Sequence, residues 1–124
     1  MQRTLLQPTV EDPLEVVIDR KLWYRGKGAG GSRLLTEEGK MCCLGFDALA
    51  CGLKAEDILY ITSPGSTGYD VPGLVNVDTY HHDNSKVCGE MMMTNDNEVI
   101  ADGEREKLLT EMAATIGRKF VFVG

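Results

Sequence analysis

The longest run of apolar and small residues lies in the middle of the chain, from Gly39 to Leu53. Within it Leu44, Ala48 and Cys51 recur at i, i+4 and i+7, the spacing that places side chains on one face of a helix. Gly52 follows where a left-handed glycine commonly ends a helix. About ten such residues follow one another, roughly half of what a bilayer-spanning helix needs. The pattern therefore predicts a buried helix at the centre of a globular core.

A second helix and a strand are predicted near the C-terminus. Asp102 suits a helix N-cap, and apolar residues follow it at helical spacing, at Leu108, Leu109, Met112, Ala113 and Ile116. Gly117 is placed to end this helix. Residues Arg118 to Val123 then alternate two phenylalanines with two valines, which is typical of a strand covered on both faces.

Weaker patterns cover the rest of the chain. Met1 to Val10 fits a short edge strand, and Asp12 to Lys21 fits a short helix with Pro13 in its first turn. Further predicted elements are a strand at Ser32 to Thr36, one helical turn at Lys54 to Leu59 and a strand-prone stretch at Tyr60 to Thr62. Together they predict a single α+β domain over residues 1–124, with the central and C-terminal helices packed on a small, mostly antiparallel sheet.

Charge is unevenly distributed along a chain of ordinary composition. The 124 residues are 43% hydrophobic and 26% charged, as in soluble globular proteins. The net charge is −6, and the acidic excess lies entirely beyond residue 40, where thirteen acids accompany six bases. An acidic chain is a poor partner for free nucleic acid. The N-terminus lacks the apolar stretch of a signal peptide, so we expect a cytoplasmic protein with reduced thiols and no membrane partner.

The acidic excess is concentrated between Asp70 and Asp102, where seven acids accompany a single base, Lys86. The segment Tyr69 to Asn97 has weak periodicity, so we predict a long ordered loop or irregular strands. Met91 to Met93 fit a strand core, with a pliable binding surface as the alternative. A solvated acidic face is the ordinary interpretation, and an interface for a basic partner is the functional one. The residues that we expect to contact a partner are Tyr69, Asp70, Asp78, Tyr80, Asp83 and Glu90.

Positive charge is concentrated with glycine between Arg20 and Arg33, a stretch of five cations, two aromatics and four glycines without an acid. Glycine-rich backbone binds anions through exposed N–H groups. However, GxxxxGK[ST] is absent, and GxGxxG is not found in its strand–loop–helix context. A flexible basic loop beside a half-buried tryptophan is the more common structure for such a stretch. The candidate anion- or nucleotide-binding residues are Arg20, Lys21, Trp23, Arg25, Lys27 and Arg33.

Four cysteines and two adjacent histidines raise the question of metal binding or thiol catalysis. Their spacing departs from the C-x₂₋₄-C pairs of structural zinc sites, and Lys40 near the start of the central helix is only a weak activator of a thiol. We therefore expect buried free thiols at Cys43 and Cys51, and no metal, cofactor or enzymatic activity. The residues concerned are Cys42, Cys43, Cys51, Cys88, His81 and His82.

Several short motifs follow one another along the chain. In order they are Trp23, Arg25-Gly26, Leu34-Leu35, Cys42-Cys43-Leu44-Gly45, Asn95-Asp96 and the end from Glu104 to Val123. This order resembles that of small phage and prophage proteins with a KxCCLG helix motif. The resemblance covers most of the chain and implies a phage origin, without an activity that could be transferred.

Three functions are compatible with these observations. The first is a phage-encoded antagonist of a host defence factor, similar to an anti-CRISPR protein, which binds a host protein in the host cytoplasm. The second is a small nucleotide- or phosphate-binding module, or an enzyme, that uses residues 20–33. The third is a structural or assembly accessory protein of the phage. We favour the first because small size, acidic charge and the lack of a catalytic set fit it. Homodimer formation is left open.

Overall fold

The computed structural model describes residues 11–25, 34–61 and 83–124. Their helices and strands, in chain order, are β1 (Leu14–Asp19), α1 (Cys43–Cys51), α2 (Ala55–Ile58), α3 (Asp83–Asp96), α4 (Asp102–Ala114) and β2 (Arg118–Val123). The helices and a two-stranded sheet share one hydrophobic core, which is an α+β arrangement as predicted. None of the helices in the described ranges is long and apolar enough to span a bilayer.

Helix α1 is the centre of the core and forms where the sequence predicts it. Seven of its nine residues are buried, and it packs against β1, α2 and α3. The helix ends at Gly52, whose φ of 117° is the left-handed conformation that favours glycine. Gly45 approaches the backbone of Leu34 so closely that an added Cβ would lie 1.9 Å from the Leu34 carbonyl oxygen. Only glycine therefore lets α1 pack at this distance.

The sheet is parallel, which corrects the prediction of a mostly antiparallel one. Strand β1 pairs with β2 from Leu14↔Arg118 to Asp19↔Val123. Parallel neighbours need a crossover connection, and here the chain that carries all four helices forms it. Strand β2 has the predicted bounds, but its orientation depends on a partner strand that the sequence analysis had not identified.

Strand β1 replaces the helix that we predicted over Asp12 to Lys21. Val16 and Ile18 are buried, whereas Glu15 and Val17 are exposed, which is the alternation of a strand with one covered face. Three consecutive β-branched residues also favour a strand. The helical spacing of the apolar residues is present as well, and pairing with β2 decides between the two.

Helix α3 occupies the second half of the segment that we predicted to be a loop or irregular strands. Its core-facing residues include Met91, Thr94 and Asn95, with Val87 partly buried beside them. Two of these residues are polar, so the hydrophobic periodicity is weak and the helix was missed. The methionine triplet lies in this helix rather than in a strand core, and Met93 is exposed.

The remaining predictions are confirmed or corrected in detail. Helices α2 and α4 form as predicted, although Ala101 rather than Asp102 takes the N-cap position of α4. Within the predicted strand Ser32 to Thr36, Leu35 forms a single bridge, to Leu59. In the predicted strand-prone stretch Tyr60 to Thr62, Tyr60 adopts a turn with φ of 64°. The predicted N-terminal strand and parts of two others fall on residues 1–10, 32–33 and 62, outside the described ranges.

Candidate functional site

A buried ion pair links β2 to α1. Arg118 donates from Nε to Asp47 Oδ1 at 2.7 Å and from Nη2 to Oδ2 at 3.3 Å, and both side chains are fully buried. Arg118 also donates to the carbonyl oxygen of Ile116 and to Cys51 Sγ, each at 3.1 Å. Because both carboxylate oxygens and the guanidinium are paired, the arrangement serves the structure of the core.

The thiol beside this pair is chemically inert at neutral pH. Burial raises the pKa of Cys51 to about 12, and the Asp47 carboxylate adds to the rise. Burial also raises the pKa of Asp47, while the Arg118 guanidinium opposes that rise. Since the thiolate is the reactive form of cysteine, Cys51 offers no nucleophile. Cys42, Cys43 and Cys51 are all buried and outside any disulfide, so the prediction of buried thiols at Cys43 and Cys51 is confirmed.

The side chain of Asn95 joins three segments of the fold. Its Oδ1 accepts hydrogen bonds from Trp23 Nε1 at 2.7 Å and from the backbone N–H of Cys43 at 3.1 Å. Its Nδ2 donates to the carbonyl oxygen of Tyr24 and to Asp96 Oδ1, each at 2.9 Å. The N–H of Cys43 belongs to the first turn of α1, whose donors have no partner within the helix. Asn95 thus caps α1 from 52 residues away in the sequence.

Several of the short sequence motifs meet in this network. Trp23 and Cys43 both donate to Asn95 Oδ1, and Gly45 of the same motif packs on the backbone of Leu34. The motif residues therefore maintain the fold. Recognition or catalysis has to be sought on the surface around them.

Two arginines of the basic stretch pair with acids of α4. Arg20 donates to both carboxylate oxygens of Glu106 at 2.8 Å, and this contact raises the pKa of Arg20. Arg25 donates to Asp102 at 2.7 Å, and its guanidinium carbon lies 4.4 Å from the ring centroid of Trp23. Both arginines are therefore held in place by the body of the protein.

The same arginines line an open cavity of about 370 Å³, which we call the basic pocket. Its charged lining consists of Arg20, Lys21, Arg25, Lys40 and Glu38, with Trp23 and Tyr24 between them. The lining residues come from two segments, residues 20–25 and residues 38–40. Backbone hydrogen bonds through Met41 join these segments, from Tyr24 N–H to the Met41 carbonyl at 2.6 Å and from Met41 N–H to the Leu22 carbonyl at 2.9 Å. Sequence analysis did not identify Lys40 and Glu38 as site residues, because they come from a separate turn.

A second cavity, of about 540 Å³, lies where α3 meets α4. It is lined by Arg25, Glu98, Ile100, Ala101, Asp102 and Arg105. Arg105 is only 3% exposed and donates from Nη2 to the carbonyl oxygens of Asn97 and Ile100. The Nε atoms of Arg25 and Arg105 are buried without a hydrogen-bond partner. Two arginines and two acids line the cavity, so its charges balance.

An exposed surface on α3 and the turn that follows it combines acids with apolar side chains. We call it the α3 surface, and its members are Glu90, Met93, Asn97, Glu98 and Val99. Met93 is 75% exposed and Val99 is 93% exposed, and the other three are exposed as well. Glu90, Met93 and Asn97 are spaced at i, i+3 and i+7, so they share one side of the helix and its end.

The structure brings together four of the six predicted anion-binding residues. Arg20, Lys21, Trp23 and Arg25 all line the basic pocket, although Trp23 is only 4% exposed. Of the predicted partner-binding residues, Asp83 begins α3 and Glu90 is exposed on it. The remaining residues of both sets lie outside the described ranges. They are Lys27 and Arg33 of the anion-binding set, and Tyr69, Asp70, Asp78 and Tyr80 of the partner-binding set.

Known proteins add no assignment to this geometry. No family model, curated protein or solved structure matches the chain. Within residues 11–25, 34–61 and 83–124, no three histidine, cysteine or acidic side chains are grouped so that they could hold a metal ion. The surfaces described above are therefore the features from which a function has to be inferred.

Proposed function

We propose that this chain is a small acidic binding protein, encoded by a phage, that antagonises a host defence factor by protein–protein contact in the manner of an anti-CRISPR inhibitor. The observation that carries the proposal is the α3 surface, where Met93 is 75% and Val99 93% exposed, and Glu90 and Glu98 are exposed as well. Apolar side chains supply contact area that can be desolvated, and methionine adapts to varied partner shapes. The acids supply recognition of a basic partner.

The charge of the surrounding segment supports a protein partner with a basic surface. Seven acids against one base between Asp70 and Asp102 repel nucleic acid and attract a protein surface that binds nucleic acid. Such attraction acts at long range and weakens as salt is added. A nucleic-acid-binding component of host defence has a basic surface of the kind that this acidic segment would attract. The segment from Asp70 to Asp102 would occupy the channel in which that component binds nucleic acid.

The chemistry of the core supports contact rather than catalysis. The pKa of Cys51 is raised to about 12, and Cys42 and Cys43 are buried. Cys42, Cys43 and Cys51 therefore present no accessible thiolate. The resemblance of the motif order to small phage and prophage proteins with a KxCCLG motif is what supports a phage origin.

The test compares two double variants of the full chain. Glu90→Gln with Met93→Gln removes one charge and one apolar contact from the α3 surface. The matched control, Glu111→Gln with Val17→Thr, makes similar changes at exposed positions elsewhere. Immobilised parent protein is expected to retain a basic protein from host lysate, which is then purified for affinity measurements at two salt concentrations. We expect the α3 variant to bind about tenfold more weakly, and the control to bind like the parent.

Neutralising Asp78, Asp83 and Glu90 together extends this test to the wider acidic segment. We expect the triple variant to lose both affinity for the partner and protection of the phage. Equal affinity of all variants, together with binding that does not respond to salt, would contradict the proposal. Retention of a virion component instead of a defence protein would favour the assembly role.

A further inference from the structure

The basic pocket concentrates positive charge on a protein whose net charge is −6. Four cations and a single acid, Glu38, line a cavity of about 370 Å³, which is within the size range of small-molecule sites. Lys21 and Lys40 are exposed, and no carboxylate among the described residues forms an ion pair with either ammonium group. Cations gathered in one cavity attract an anion.

The two lysines extend from backbone that is already fixed. The N–H of Lys21 donates to Asp19 Oδ1 at 2.9 Å, and the N–H of Lys40 donates to Thr36 Oγ1 at 3.1 Å. The carbonyl oxygen of Lys40 accepts from the N–H of Thr36 at 2.8 Å. A ligand between the lysines would therefore order only their side chains, which keeps the entropic cost of binding low.

We infer that the basic pocket binds the phosphate group of a small phosphate monoester, with Lys21 and Lys40 as its direct ligands. An ammonium group is a compact charge with three donors, and the three terminal oxygens of a phosphate are strong acceptors. Arg20 and Arg25 already pair with carboxylates of α4, which compensate most of their charge, so the net positive charge of the pocket comes from the two lysines. Glu38 opposes the anion and limits its affinity.

The burial of Trp23 limits how much a group attached to the phosphate, such as a nucleobase, can add to the affinity. The indole is 4% exposed, with Arg25 4.4 Å from its ring centroid and the Phe122 ring centroid at 4.9 Å. A nucleobase needs an exposed aromatic face for stacking, and Trp23 does not provide one. Recognition in the pocket is therefore directed at the phosphate, and this site is independent of the α3 surface.

The chain contains a single tryptophan, so its fluorescence reports directly on the pocket. The full protein is titrated with glycerol 3-phosphate, with adenosine monophosphate and with chloride at constant ionic strength. We expect a saturable change with both phosphates, of similar affinity, and none with chloride. Affinity should increase between pH 5 and 7, because the second ionisation of a phosphate monoester lies near pH 6.

Three variants make the test specific to the pocket. Lys21→Gln with Lys40→Gln should weaken binding roughly tenfold or more, and Glu38→Gln should tighten it about threefold. Lys119→Gln, an exposed lysine on β2, is the matched control and should bind like the parent. Equal affinity of the double-lysine variant and the parent, or the lack of a saturable change with either phosphate, overturns the inference. Tenfold tighter binding of the nucleotide overturns it as well, since the base would then be the recognised group.

Discussion

Two arginine–carboxylate pairs of nearly the same geometry stabilise different regions of this protein. Arg118 Nε lies 2.7 Å from Asp47 Oδ1, with both side chains fully buried. Arg20 Nε lies 2.8 Å from Glu106 Oε2, with 39% and 18% of the side chains exposed. In the core, loss of one partner leaves a charge that water cannot reach, whereas at the surface water replaces the lost partner. Environment rather than distance therefore decides what each pair contributes.

The two pairs also differ in what they position. The buried pair joins β2 to α1, so it specifies how the sheet is oriented against the central helix. The surface pair holds Arg20 at the edge of the basic pocket. We therefore expect changes at the first pair to alter the free energy of unfolding, and changes at the second pair to alter mainly the electrostatics of the pocket.

The largest expected effect comes from Asp47→Ala. This change leaves the buried Arg118 guanidinium without its carboxylate, and we expect the free energy of unfolding to fall by about 3–5 kcal/mol. Denaturant titration followed by circular dichroism measures the loss. The control is Asp47→Leu with Arg118→Met, which removes both charges and should recover most of the stability. A fall below about 1 kcal/mol for Asp47→Ala would show that the core tolerates the unpaired arginine.

Asn95→Ala should have the next largest effect. It leaves Trp23 Nε1 and the N–H of Cys43 without their acceptor, and unsatisfied buried donors cost about 1–3 kcal/mol each. We expect a loss of about 2–3 kcal/mol in the same titration, with a shift in Trp23 emission. The control is Asn97→Ala at an exposed position, where a loss within about 1 kcal/mol is expected. Similar losses for the two variants would argue against the capping role of Asn95.

Alkaline pH should destabilise the fold through ionisation of the buried Cys51 thiol, which lies beside the Asp47–Arg118 pair. The pKa of Cys51 is raised to about 12 in the folded protein, while an unfolded cysteine ionises near pH 8.5. The thiol of Cys51 therefore stays protonated to a higher pH in the folded protein than in the unfolded chain. The stability that this pKa difference contributes is fully present below about pH 8.5. It is lost as the pH rises toward 12, at up to about 1.4 kcal/mol per pH unit. Unfolding of the parent and of Cys51→Ala is compared from pH 8 to 11, and parallel pH dependences would contradict this assignment.

Glu106→Gln should have the smallest effect. Arg20 is partly exposed and remains hydrated after the change, so we expect a smaller destabilisation than for Asp47→Ala or Asn95→Ala. The measurement is thermal unfolding at low and high salt, where any difference between variant and parent should shrink as salt is added. A loss comparable with that of Asp47→Ala would remove the contrast between the two pairs.

The sequence predicted those elements whose signals are local. Helices α1 and α4 carry apolar residues at helical spacing, and Gly52 directly follows the last residue of α1 and ends it. Strand β2 alternates phenylalanine with valine along its own length. For each of these elements the information lies inside the segment itself.

The features that were missed depend on distant partners. Strand β1 satisfies helix and strand patterns equally, and only pairing with β2 selects the strand. Asn95 looks like an ordinary turn residue, because its partners Cys43 and Trp23 lie 52 and 72 residues away. Asp47 did carry a signal, as the single charge in an apolar helix. A buried charge needs a counter-charge, but nothing local singles out Arg118 among the thirteen lysines and arginines.

The pairing of β1 with β2 also bears on how the chain is made. Strand β2 emerges from the ribosome after every other described element, so until then β1 lacks its partner and the carboxylate of Asp47 lacks Arg118. During translation the most apolar helix therefore has no complete core in which to bury its charge. Contacts between such distant segments also form slowly. The nascent chain thus exposes α1 throughout elongation, and it is expected to depend on chaperones until Arg118 has been added.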